Sequence, residues 1–193
     1  MNFLAHLWLA DRTGTSLAGS VLGDVVRGAD LSAYPDAIAQ GIRFHRKVDG
    51  ATDRHSVMVA LKATFADGDR RYAGIVLDLA ADFALAQEWA TFSSAPLPAF
   101  TARCAREVAE AGAWFTRAGG RAPTTDGFAA LLLSYGTDAG IERALARTAT
   151  RLREPARLVH AGKAWRAASD ALRPQMRPLL DDLLAVFDSP LPH

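Results

Sequence analysis

Apolar residues recur at three- and four-residue spacing along nearly the whole chain, and no stretch shows convincing apolar/polar alternation of the kind a strand needs. The pattern therefore predicts a succession of helices. The first is a core helix in the apolar opening Met1 to Ala10, with Asn2 as its N-cap and His6 on or beside the buried face. Asp11 to Thr15 reads as a turn broken by Gly14, after which Thr15 or Ser16 caps a helix carrying Leu17, Val21, Leu22, Val25 and Val26. That helix is expected to reach about Arg27 and stop at Gly28. After a loop from Asp30, Pro35-Asp36 opens a long helix through His55, and Val57, Leu61 and Phe65 carry its spacing on to Asp67-Gly68-Asp69. A further helix is predicted from Tyr72 to about Phe92, followed by the proline-containing linker Ser93 to Pro98. Phe100, Cys104, Val108, Ala111 and Phe115 predict an amphipathic helix ending near Gly119-Gly120. Phe128 to Tyr135, Ile141 to Leu152 (capped by Thr137 or Asp138) and a last helix interrupted by Pro174 and Pro178 complete the chain. The last one is expected to bury Leu172, Met176, Leu179, Leu183, Val186 and Phe187.

Composition narrows the fold class. Half of the 193 residues are apolar, with abundant alanine, which favours helices packed on helices in an all-α, single-domain bundle over residues 1–193. A net charge of +1 gives no electrostatic case for nucleic-acid binding. The lone Cys104 excludes an intrachain disulfide framework, suits a reducing compartment, and lies in a plain amphipathic pattern that offers little to a nucleophile. The apolar opening lacks a basic leader and is too short to span a bilayer, so a soluble, cytoplasmic protein without membrane association is expected.

The candidate chemistry comes from polar residues on apolar stripes. On a helix His45 and Asp49 lie roughly 40° apart, with Asp53 about 80° from His45, and Ile38 and Ile42 share their side. Asp78 and Asp82 form a second i,i+4 pair, on the stripe of Ile75, Leu85 and Trp89. His6 and Asp24 lean the same way in the first two helices. Carboxylates facing a core need a cation or dense donors, and a divalent ion is the economical partner for imidazole and carboxylate. The plainer alternative is ion pairing with neighbouring arginines, such as Asp24 with Arg27 at i+3. No Gly-x-Ser-x-Gly elbow, phosphate-binding P-loop or dinucleotide glycine fingerprint is present. A His/Asp set without cysteine suits Mn²⁺ or Mg²⁺, and Arg27, Arg46 and Arg54 are candidates to hold phosphate oxygens, so metal-assisted phosphoester hydrolysis is the leading class. Residues 1–92 carry this chemistry, and 93–193 read as helical scaffold.

Four segments carry a resemblance. Asn2-Phe3-Leu4-Ala5-His6-Leu7, Gly23-Asp24-Val25-Val26-Arg27-Gly28, Gly41-Ile42-x-x-His45-Arg46-x-x-Asp49-x-x-Thr52-Asp53 and Leu77-Asp78-x-x-x-Asp82 resemble, in order and spacing, the acyl carrier protein phosphodiesterase family. The resemblance implies a helical relative of the HD-domain phosphohydrolases that uses Mn²⁺, with Mg²⁺ or Fe²⁺ as alternatives. Its implied reaction removes 4′-phosphopantetheine from holo-acyl carrier protein by hydrolysing the phosphodiester. Taken with the polar stripes, it nominates Asp24, His45, Asp49, Asp78 and Asp82 as metal ligands in one cavity, with His6, Asp53, Arg27 and Arg46 as catalytic residues around them. Phe83 and Ala81 depart from the family pattern, which usually has a histidine immediately after the second acid and an aromatic before it. Two rivals remain at this level: a metal phosphohydrolase acting on a small phosphoester or nucleotide, and a non-catalytic carrier-binding helical protein. Arg43, Arg46, Lys47, Arg54, Arg70 and Arg71 form a candidate docking surface for an acidic carrier.

Overall fold

Helix α1 (Phe3–Thr13) is buried from Leu4 through Ala10, as an all-round apolar helix must be, and it runs through the middle of the molecule. Gly14 ends it in the left-handed region (φ 65°), its N–H closing onto the carbonyls of Ala10 and Asp11. The second inner helix, α5 (Ala73–Gln87), buries every residue from Leu79 through Leu85 against α1 and later helices. The remaining helices surround this pair, and one continuous hydrophobic core joins them. The structure, a computed structural model, describes residues 1–188, so residues 189–193 of the expected domain lie outside the described residues. It is all-helical, with no strand among the described residues, and no helix among them is long and apolar enough to cross a membrane.

On one side of α1, α2 (Leu17–Leu22) lies across α3 (Asp36–Arg54). Ser16 caps α2 by accepting the Gly19 N–H at 3.0 Å. Contrary to the sequence expectation, α2 stops at Leu22 rather than near Arg27. The guanidinium of Arg46 donates to the carbonyls of Val26 and Gly28, both at 2.7 Å, supplying donors that a helical continuation would have supplied. Helix α3 likewise ends at Arg54 instead of continuing through Phe65. His55 turns extended, accepts the Val57 N–H at 3.3 Å, and starts a separate α4 (Ser56–Ala63). The predicted Tyr72–Phe92 helix begins as a 3-10 turn over Arg70–Tyr72 and breaks at Glu88 before α6 (Trp89–Phe92).

The crossing of α2 and α3 depends on two glycines in contact. A Cβ at Gly41 would lie 2.8 Å from the Ser16 carbonyl oxygen and 2.9 Å from the Gly19 Cα, and one at Gly19 would lie 2.5 Å from the Ile38 oxygen. Gly41→Ala should therefore destabilise the fold by roughly 1–3 kcal/mol, because separating two backbones outweighs the gain of about 1 kcal/mol in helix propensity. Gly50, also in α3, is the control: a Cβ there meets only the Arg54 guanidinium at 3.4 Å, so Gly50→Ala should be neutral or stabilising. Urea denaturation of both variants checks this, and equal midpoints would refute the close-packed crossing.

The second half holds α7 (Leu97–Glu110), α8 (Gly112–Arg117), α9 (Thr125–Ser134), α10 (Asp138–Ala149), α11 (Pro155–Gly162), α12 (Trp165–Leu172) and α13 (Met176–Asp188). Thr124 and Thr137 cap α9 and α10 through the N–H groups of Gly127 and Gly140. The expected Phe100–Phe115 helix is two helices, and α11 was not anticipated as a separate element. Leu172, Met176, Leu179 and Leu183 are buried as expected, whereas Val186 and Phe187 are half-buried, with Phe187 set edge-on to Phe44. Helices α10 and α12 pack on α5, and α10 thereby comes to face the N-terminal half.

Candidate metal centre

Three side chains meet where α1 passes α3. His6 comes from α1, and His45 and Asp49 from successive turns of α3. The two carboxylate oxygens of Asp49 are divided between the rings: Oδ1 lies 2.9 Å from His6 Nε2 and Oδ2 lies 3.0 Å from His45 Nε2. The imidazoles stack with centroids 4.0 Å apart. One ligand atom from each of the three residues falls within 4.8 Å of the others. Asp24, in the turn after α2, brings Oδ1 to 3.4 Å from His45 Nε2. Gly23 makes room for this ring, since a Cβ there would lie 2.3 Å from it. Asp78 of α5 completes the group from the far side, 3.1 Å from the Met1 amino nitrogen, which is also 3.8 Å from Asp49.

Electrostatics separate the two histidines. Burial, reinforced by the neighbouring His45, lowers the His6 pKa to about 4, so that ring stays neutral and keeps a lone pair. Burial also opposes charge on His45, but contacts with Asp24 and Asp49 outweigh it and raise its pKa to about 9. Asp49 is held far below the ordinary carboxylate range, because its contacts with His45 and His6 overcome its own burial. Asp78 is shifted upward, loss of water outweighing the ammonium beside it. With Asp24, Asp49 and Asp78 together, the cluster gathers positive charge from both His45 and Met1. Two imidazole nitrogens and carboxylate oxygens at this spacing fit a borderline divalent ion. The buried Nδ1 of His45 has no hydrogen-bond partner, so this ring lacks the outer hydrogen bond that usually orients a ligating histidine.

The structure treats the sequence candidates unequally. It brings His6, expected at the rim, to the centre with His45 and Asp49, and sets Asp24 and Asp78 beside them. Asp24 faces His45, not Arg27, which lies on the exposed loop after α2. Asp82 is fully buried apart from the three-residue group, where its carboxylate accepts the N–H groups of Leu4 at 2.8 Å and Ala5 at 3.1 Å. It thus caps α1 from another helix, a role assigned in sequence to Asn2, whose side chain makes no cap bond. Asp53 is exposed and pairs with Lys62 at 2.7 Å. Arg46 is committed to the Val26 and Gly28 carbonyls. Phe83 packs edge-on to Trp165 of α12, with ring centroids 4.9 Å apart, so position 83 belongs to the α5–α12 contact.

Beside the centre opens a cavity of about 330 Å³ lined by Asn2, Phe3, Asp24, Asp78, Tyr135, Arg147 and others. Its α10 side was invisible in sequence, where a pair of arginines on a helix reads as an ordinary solvated face. A larger groove of about 470 Å³, lined by alanines of α11 and α12 with the Asp69–His160 pair (2.8 Å) at its edge, contains none of the acid cluster.

No solved structure matches the chain, so the suggested likeness to HD-domain phosphohydrolases has no structural counterpart. Among curated proteins, an acyl carrier protein phosphodiesterase from Enterobacter sp. (strain 638) is 42% identical over 110 residues, covering 56% of this chain and 57% of that protein. One from Serratia proteamaculans (strain 568) is 40% identical over 109 residues, covering 56% of each chain, and one from Pectobacterium atrosepticum is 44% identical over 89 residues, covering 46% of each. The chain thus spans just over half the length of the first two of these curated relatives. The family match itself extends across both halves, over residues 1–183, and on that breadth the chain belongs to the acyl carrier protein phosphodiesterase family.

Proposed function

We propose that the chain is a cytoplasmic, divalent-metal-dependent phosphodiesterase that releases 4′-phosphopantetheine from holo-acyl carrier protein, residues 1–193 acting as one domain. The observation that carries this reading is the convergence of His6, His45 and Asp49, with Asp24 and Asp78 adjoining, in a member of this family. His6, His45 and Asp49 would hold the ion, with Asp24 and Asp78 as the nearest further carboxylates. The mixture of imidazole and carboxylate favours Mn²⁺ or Fe²⁺ over Mg²⁺, which prefers oxygen ligands alone. Such an ion, when bound, polarises a phosphoryl oxygen and lowers the pKa of water towards neutrality.

The protein's own residues do the positioning. Asp49 holds both imidazoles through its two oxygens, and Gly23 lets the His45 ring close against the turn that carries Asp24. His6, with a pKa near 4, presents an unprotonated ring at neutral pH. Asp82 fixes the first turn of α1, and so the register of His6, without entering the cluster. The test is to incubate the protein with holo-carrier and Mn²⁺ and follow the intact mass of the carrier. Loss of the phosphopantetheine arm, prevented by chelator, is expected. An unchanged carrier mass with Mn²⁺, Fe²⁺ and Mg²⁺ alike would reject the reading.

A further inference from the structure

Arg147 and Arg151 stand one helical turn apart, at the end of α10 and just beyond it, and both line the cavity that also contains Asp24 and Asp78. Both are exposed, and neither forms an ion pair among the described residues. The acids of the cavity are engaged elsewhere: Asp24 with His45 and Asp78 with the Met1 amino group. Opposite charges therefore share one cavity of about 330 Å³ without neutralising each other. Two like charges only four residues apart repel unless an anion joins them. A guanidinium is built for an oxyanion, whose two oxygens it engages in parallel. Tyr135, 1% exposed, also lines the cavity; burial pushes its pKa up, so it remains a neutral hydroxyl beside the arginines. Phe3, Ile75 and Leu79 add an apolar wall suited to the uncharged part of an organic ester.

We infer that Arg147 and Arg151 bind the non-bridging oxygens of the substrate's phosphodiester and hold that group against the Asp24/Asp78 side of the cavity. This rests on the phosphodiesterase reading above. It also relocates phosphate binding: Arg46 is spent on backbone carbonyls, and the second half of the chain contributes to the site.

The decisive comparison uses wild type, Arg147→Ala/Arg151→Ala and Arg147→Lys/Arg151→Lys, each first checked for helical content and Mn²⁺ affinity. Calorimetry with 4′-phosphopantetheine, with and without Mn²⁺, reads phosphate binding apart from turnover. The double alanine variant should bind it roughly tenfold or more weakly and keep its Mn²⁺ affinity, and the double lysine variant should recover part of the loss. KM should rise similarly for holo-carrier and for bis(p-nitrophenyl) phosphate. Unchanged 4′-phosphopantetheine binding, or no binding by the wild type, overturns the inference. A loss confined to holo-carrier also overturns it, assigning the arginines to carboxylates on the carrier surface. If the alanine pair disturbs the helix content, the lysine pair decides: binding equal to wild type overturns the fork-like contact, and weakened binding supports it. Wild type that binds 4′-phosphopantetheine through these arginines but leaves holo-carrier intact refutes the phosphodiesterase reading and retains the phosphate site.

Discussion

Asp49→Ala should abolish Mn²⁺ binding and reduce metal-dependent hydrolysis at least about 100-fold, since even outer partners of metal ligands are worth 10- to 100-fold. Among the described residues Asp49 is the one carboxylate that touches both imidazoles, at 2.9 and 3.0 Å, and its loss removes a metal ligand and frees both rings at once. The metal-free protein should also lose stability, by about 1–3 kcal/mol, because His45 is buried and raised to a pKa of about 9 by partners that include Asp49. The half-exposure of Asp49 keeps this below the loss expected for a fully buried pair. Calorimetric titration with Mn²⁺ and urea denaturation in chelator separate the two effects. Retained Mn²⁺ affinity would remove Asp49 from the metal site, and an unchanged urea midpoint would remove it from the support of His45.

Asp82→Ala should damage the fold, and should weaken metal affinity far less than Asp49→Ala because Asp82 supports the turn that carries His6 without entering the cluster. Two buried N–H groups, of Leu4 and Ala5, lose their acceptor, and each costs about 1–3 kcal/mol when left unpaired. Asp82→Asn retains an acceptor and should be much milder. The pH dependence follows from the carboxyl's own equilibrium. Burial raises its pKa from 3.8 to about 7 against the opposing backbone N–H groups. Between those values the folded state holds a proton that the unfolded state has released, so the Asp82 contribution to stability falls as pH rises from about 4 to about 7 and is level above. A gap of that size corresponds to about 4 kcal/mol. Asparagine cannot ionise, so Asp82→Asn should gain on the wild type by up to that amount between pH 4 and pH 8. Urea denaturation across this range in chelator measures the difference. A difference flat in pH would show that Asp82 titrates normally, and an unaltered midpoint for Asp82→Ala would show that it does not cap α1.

For phosphate, sequence reasoning could nominate only Arg27, Arg46 and Arg54, the arginines close to the acids along the chain. In the fold Arg46 straps the Val26–Gly28 loop, and Arg27 is exposed on that loop. Arg147 and Arg151 sit more than a hundred positions from Asp24, and only the packing of α10 on α5 brings them to the same cavity. Asp49 meets His45 on its own helix, but its other partners, His6 and the Met1 amino group, come from outside α3.

The sequence by itself determined the all-helical class, narrowed two caps to Thr15 or Ser16 and Thr137 or Asp138, of which Ser16 and Thr137 are used, and placed His45 and Asp49 on an inward stripe. These are local properties: a period of 3.6 residues and a short polar side chain at a helix start act within a few residues of themselves. Tertiary structure alone decided which stripes meet. Gly19 and Gly41 set how closely α2 crosses α3, and Gly23 sets how closely the Asp24 turn approaches His45. Asp78 and Asp82 show the same limit on one helix. Their spacing puts them on a common face, yet the start of α1 takes Asp82 as its cap and leaves Asp78 to the cluster. Helical periodicity fixes the direction in which a side chain leaves its own axis; the group waiting there is supplied by another helix, whose crossing is set by backbone contact.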